Sequence, residues 1–100
     1  MRWPFILAVV LITTSALANI TGSATVIDGD TIKIDGTSIR LHGIDAPESF
    51  QTCTTGGTSW PCGRYATVAL VELIGASPVR CEAHDVDRYG RTIASCSVGG

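Results

Sequence analysis

The chain has 100 residues, with nine acidic and seven basic side chains and a formal charge of −2, room for one small domain. The acidic balance excludes a protein that holds nucleic acid by bulk positive charge alone. Four cysteines without a CxxC pair argue against a structural zinc site.

Arg2 is a minimal positive n-region, Phe5 to Ile12 is an apolar run, and Ala16-Leu17-Ala18 is a small-residue cleavage site. That order predicts a signal peptide over 1–18, too short for a comfortable membrane span. An uncleaved N-terminal anchor is the alternative. The domain then occupies 19–100, secreted or periplasmic, with no stable membrane association after cleavage and a monomer expected. So small a domain is commonly marginal without staples, and cysteines in an exported chain supply them. Three pairings are possible. Cys53–Cys62 closes a Gly/Thr-rich loop, and Cys81 and Cys96 are equidistant from Arg88-Tyr89, so they face each other across a hairpin.

Ile20 to Asp28 alternates and predicts a first strand, closed by the turn residues Asp28-Gly29-Asp30. Thr31 to Asp35 predicts a second strand, and Asp35-Gly36 is a strong hairpin turn. Ser38 to Ile44 returns as a third, with Ile39 and Leu41 on one face and Arg40 and His42 on the other. Ser49 to Trp60 is polar and aperiodic and reads as a loop. Pro61 suits a helix start. Ala66, Leu70, Leu73 and Ile74 follow at helical spacing, and Gly75 marks the stop. Pro78 to Asp85 and Arg91 to Val98 read as a closing hairpin. The fold class is mainly β with one helix. Its order, three strands, a helix and two strands, fits a five-stranded antiparallel OB barrel; an open α+β sheet is the alternative. The terminal Gly99-Gly100 suggests another turn, and hence a C-terminally truncated chain.

Asp28 to Glu48 concentrates the chemistry. The third strand runs back along the second, so Asp45 returns toward Asp30. Two carboxylates and a backbone carbonyl suit calcium, with positions left for water and substrate. So few protein ligands imply an affinity of roughly 10⁻⁴–10⁻³ M. Arg40 and Asp45 would face opposite sides of an uninterrupted strand, so a shared site needs a bend, most naturally at Gly43. Pro47 keeps the strand from continuing. Asp87-Arg88-Tyr89-Gly90-Arg91 adds two cations and a ring in the last hairpin loop. His42 shares a face with Arg40, while Trp60 and Tyr65 read as packing near the first disulfide. Taken singly, each piece has a plainer reading as an acidic turn, a salt bridge or a charged hairpin tip.

Together, DGDT (Asp28 to Thr31), RLHGIDAPE (Arg40 to Glu48) and DRYGR (Asp87 to Arg91) resemble the staphylococcal nuclease (thermonuclease) family. The resemblance runs from Ala24 to about Cys96. It implies an OB barrel and a calcium-dependent phosphodiesterase that acts on DNA and RNA and releases 3′-phosphate ends. It makes Asp30, Asp45 and the Ala46 carbonyl the calcium ligands. Glu48 becomes the residue that positions or deprotonates the attacking water, and Arg40 and Arg91 become the phosphate grips. Arg88 and Tyr89 would contact a terminal phosphate, and Asp87 would be structural. An inactive OB module that binds nucleic acid or another ligand, and a disulfide-stapled calcium-binding or adhesion domain, are the competing functions.

Overall fold

The computed structural model describes residues 18–99. Apart from Ala18, the expected leader lies outside those residues. Eight strands and one helix follow in chain order: β1 (Ile20–Gly22), β2 (Ala24–Asp28), β3 (Thr31–Ile34), β4 (Thr37–Leu41), β5 (Cys53–Thr55), β6 (Thr58–Trp60), α1 (Cys62–Ile74), β7 (Val79–Val86) and β8 (Thr92–Val98).

The β3–β4 hairpin forms where expected. Asp35 and Gly36 both take positive φ, 47° and 79°, the combination that matches a two-residue turn to strand twist. This turn fixes the register Ile32↔Ile39 and Thr31↔Arg40. Ile32 and Ile39 then fall on the buried face, 1% and 0% exposed. Each fully buried isoleucine contributes roughly 1.5–3 kcal/mol. Ile34, Leu41, Ile74, Val79, Cys81 and Ala94 complete the core.

The strand pairing corrects three expectations. The first strand is not continuous: it breaks at Ser23, with β1 pairing to β7 and β2 to β3. Ser49 to Trp60 is not wholly loop, because Cys53 pairs with Trp60 and Thr55 with Thr58 in a small β5–β6 ribbon. The main sheet has six strands in the order β1-β7-β8-β4-β3-β2 and is not closed into a five-stranded barrel. The segment divides at Ser23 so that β1 and β2 become the two edge strands, each paired on one side only, and no ladder joins one edge to the other. β4 and β8 run parallel, with Arg40↔Ile93 and Leu41↔Ala94. Parallel neighbours need a long crossover, and here the β5–β6 ribbon, α1 and β7 provide it.

Helix α1 packs on the core through Leu70 and Ile74, while Ala66, one turn earlier on the same stripe, lies beside Gly29 of the β2–β3 turn. Leu73 was expected on that stripe but is 71% exposed, because it lies a residue away from the four-residue row. The helix stops at Ile74, where the Gly75 N–H donates to the Val71 carbonyl at 2.9 Å.

Both expected disulfides form. Cys53–Cys62 ties the ribbon to the start of α1, and Cys81–Cys96 joins directly paired residues of β7 and β8. Cys81 is wholly buried, so its bridge lies in the core as well as across the sheet. Replacing Cys81 and Cys96 together with alanine should lower unfolding free energy by about 3 kcal/mol, read from urea denaturation. An unchanged midpoint would show that this bridge does not stabilise the domain.

Candidate functional site

The site begins at the β2–β3 turn. Asp30 is only 7% exposed, and a buried carboxylate must be paired. Its Oδ1 accepts the Thr31 hydroxyl at 2.8 Å, its Oδ2 accepts the Ala46 N–H at 3.0 Å, and Arg40 Nη2 lies 3.4 Å from Oδ2. The same Arg40 nitrogen is 3.5 Å from Asp45 Oδ1. Arg40 Nη1 donates to the carbonyls of Leu41 at 3.0 Å, of Asp30 at 3.5 Å, and of Ile44.

Arg40 and Asp45 meet because the chain turns between them. β4 ends at Leu41, and Gly43 takes a φ of 75°, a left-handed conformation that favours glycine. The bend expected at Gly43 is thus present, as a turn beyond the strand end.

The second half of the site is the β7–β8 loop. Asp87 organises it. Its Oδ1 accepts the N–H groups of Tyr89 at 3.0 Å and Arg91 at 2.9 Å, and its Oδ2 accepts Arg91 Nε at 2.8 Å. The Arg88 and Arg91 guanidinium carbons stand 5.1 Å and 5.6 Å from the Tyr89 ring centre, within cation–π range. Partial burial alone would push the Asp87 carboxyl up. The hydrogen bonds from Arg91 and Tyr89, with the Arg91 charge, outweigh it and hold the group below its ordinary 3.8.

The two halves share one groove of about 540 Å³, lined by Arg40, His42, Asp45, Arg88, Tyr89 and Arg91 among others. Three of the seven basic residues gather there in a chain of net negative charge. Asp45 and Asp87 line the same concavity, so its three guanidinium groups are set among carboxylates.

Not every expected residue lines the groove. Asp30 lies beneath it, reached through Arg40. Glu48 sits on an adjoining turn: its N–H donates to Gln51 Oε1 at 2.6 Å, and its carbonyl accepts the Gln51 N–H at 2.9 Å. Its carboxylate has no hydrogen bond or ion pair among the described residues. Trp60 and Tyr65 pack together beside the first disulfide, ring centres 5.7 Å apart, with Trp60 Nε1 donating to Thr55 Oγ1.

Sequence reasoning missed two small residues that set this geometry. A Cβ on Gly63 would overlap the Glu48 carbonyl oxygen and reach the Gln51 nitrogen at 3.1 Å. A Cβ on Gly29 would meet the Ala46 and Ala66 methyls at 2.9 Å. The glutamate turn is pressed onto the helix start and the aspartate turn onto its flank. Nothing local signals these contacts, because they join segments far apart in sequence.

As a cation site, the donor set is all oxygen and suits a hard divalent ion. Asp30 Oδ2 and Asp45 Oδ1 both face Arg40 Nη2, which occupies the space between them. Among the described residues no cluster of three or more His, Cys, Asp or Glu side chains completes the site. Any further ligands would be backbone oxygens, water or substrate.

The family model described as staphylococcal nuclease homologue matches residues 38–100. The chain belongs to that family. The match to the nuclease homologues takes in Arg40, Asp45, Glu48 and Arg91; Asp30 precedes it. The succinoglycan biosynthesis protein ExoI of Rhizobium meliloti (strain 1021) is 44% identical over 95 residues, covering 91% of this chain and 50% of the relative. This nuclease homologue thus spans about half the length of the curated relative it matches.

Two outcomes follow from this geometry. Gly63→Ala should force the Glu48 turn away from α1, lowering stability by about 1–3 kcal/mol. Thermal melting should show the loss and amide exchange should quicken at Gln51; an unaltered exchange rate would mean the turn is not held by this contact. Asp87, with its folded pKa depressed, stabilises the fold fully above its unfolded value, and that contribution disappears as pH falls through the lower folded value. The stability gap between wild type and Asp87→Asn in urea should therefore be widest near neutrality and close in acid, below 3.8. A pH-independent gap would contradict the assignment.

Proposed function

We propose that the protein is an exported, calcium-dependent phosphodiesterase that cleaves DNA and RNA and leaves 3′-phosphate ends. The observation carrying this reading is the convergence of Arg40 and Asp45 with Arg88, Tyr89 and Arg91 in one groove, from segments separated by the whole crossover. An anion flanked by guanidinium groups and a carboxylate-bound cation is the charge pattern a phosphodiester needs. Export is supported by two disulfides, which persist in oxidising compartments. A monomer suffices, since one chain supplies every residue invoked.

Asp30, Asp45 and the Ala46 carbonyl would hold the calcium ion, which when bound neutralises charge on the phosphoryl oxygens. Arg40 and Arg91 would grip the phosphate, Arg91 through the two terminal nitrogens that Asp87 leaves open and Arg40 through the nitrogen that now faces the exposed Asp45. Arg88 and Tyr89 contact a terminal phosphate. Glu48 takes a proton from the attacking water. The water oxygen bonds to phosphorus as the P–O5′ bond breaks, giving a 3′-phosphate and a 5′-hydroxyl that takes up a solvent proton.

The curated relative's name favours a second reading, a part in succinoglycan biosynthesis in place of nucleic acid turnover. An inactive binding module is the form that reading would take at this groove.

The full-length mature protein should cleave single-stranded DNA and RNA with calcium and stop when a chelator is added. Glu48→Gln and Arg91→Ala should each lose at least about 10²-fold in kcat/KM. Wild-type-like turnover by Glu48→Gln would remove that residue from the reaction. Failure of the wild type to cut either polymer in calcium would leave the binding-module reading in its place.

A further inference from the structure

His42 and His84 form a ring pair that the chemistry above does not use. They are far apart in sequence, yet their ring centres lie 5.0 Å apart with planes tilted by 51°. Both residues are exposed. His42 follows β4 by one position and lines the arginine groove. Its N–H donates to the Ala94 carbonyl at 2.8 Å, so its backbone is held against β8.

His84 is placed by an irregularity in the sheet. The β7–β8 register runs Ala83↔Ala94 and then Asp85↔Ile93, leaving His84 as the extra residue of a bulge. Bulges re-aim a side chain and recur beside functional sites. The His84 ring is then held by a 2.7 Å hydrogen bond between Nε2 and Ser95 Oγ. Two strands and a hydroxyl thus fix the rings of two exposed residues at the edge of the arginine-lined groove.

Three uses of such a pair can be weighed. A metal site needs a third ligand, and no cluster of three such side chains occurs among the described residues. Extra positive charge is a weak use, since Arg40, Arg88 and Arg91 already supply it. Stacking remains. Histidine is among the rings on which unstacked bases lie, and a basic groove joined to ring faces is how single strands are held without sequence preference.

We infer that His42 and His84 form a stacking platform for a nucleotide flanking the phosphodiester held in the arginine groove, making single-stranded nucleic acid longer than a dinucleotide the preferred ligand. This rests on the phosphodiesterase reading and names its substrate class. Duplex bases are stacked on each other and cannot use the platform. Grip on the reacting phosphate comes from the arginines, while the histidines add affinity for its neighbour.

The test is a fluorescence anisotropy titration of the full-length mature protein. The probes are labelled single-stranded DNA of two and of eight nucleotides and an eight-base-pair duplex. The variants are His42→Ala, His84→Ala and His84→Phe. Wild type should bind the eight-mer more tightly than the dinucleotide or the duplex. Each alanine variant should lose about 10-fold of the eight-mer's advantage over the dinucleotide, and His84→Phe, which keeps a ring, should retain it. An unchanged advantage in both alanine variants would overturn the platform. Equal loss in His84→Phe would overturn it too, by showing that ring stacking is not the source. If wild type cuts nucleic acid yet shows no length advantage, the platform fails while the enzyme reading stands; if it neither binds nor cuts any probe, both fail.

Discussion

Arg40 is the tie on which the rest of the site depends. One guanidinium joins the β2–β3 turn, the end of β4 and the turn beyond it, through Asp30, Leu41 and Ile44. Its two carboxylate partners are unequal. The Asp30 side chain is 10% exposed and the Asp45 side chain 98%. A surface ion pair is worth at most about 1 kcal/mol, whereas removing one partner of a buried pair costs roughly 3–5 kcal/mol. The bond to Asp30 therefore holds the architecture, while Asp45 stays loosely held in water, where a ligand can compete for it. The buried aspartate thus fixes the frame from which the exposed one reaches the groove.

The same division appears across the groove. Asp87 spends both carboxylate oxygens on its own loop. It engages Arg91 only through the backbone N–H and Nε, so the terminal guanidinium nitrogens carry no hydrogen bond among the described residues. Tyr89, between two guanidinium groups, is 70% exposed. Each half of the groove thus has one acidic residue that sets the frame and cationic groups that face a solvent-filled concavity. That pattern belongs to a binding surface more than to a self-satisfied core network, and it accords with membership of a nuclease-homologue family.

The features legible in the sequence were those written locally. Asp35-Gly36 specified a turn because few residue pairs accept two positive φ angles. The symmetry of Cys81 and Cys96 about Arg88-Tyr89 specified their bridge. The five-residue interval from Arg40 to Asp45 demanded a bend, and Gly43 was the residue able to supply it. Features that depend on distant partners were not legible. Ser23 carries no breaker signal, and the chain divides there because β7 and β3 claim its two sides. Thr52 to Trp60 lacks apolar alternation since the β5–β6 ribbon is largely exposed and gains from its disulfide what it lacks in burial. Leu73 fits a helical period as well as Leu70 does, and only the position of the sheet separates them. Gly29 and Gly63 look like ordinary turn and helix glycines until the neighbouring backbone is seen against them.

The parallel pairing of β4 with β8 has a bearing on how the chain folds. Ile39 pairs with Thr92 across the whole crossover, and contacts of such long sequence separation form slowly. Until then the free edge of β4 offers a ladder of unpaired amides to any strand that arrives. The bridge between Cys81 and Cys96 closes within a local hairpin, so oxidation can lock β8 into a finished template ahead of that search. An oxidising compartment would then act as a folding aid, shortening the interval in which the half-built sheet could pair with a second molecule.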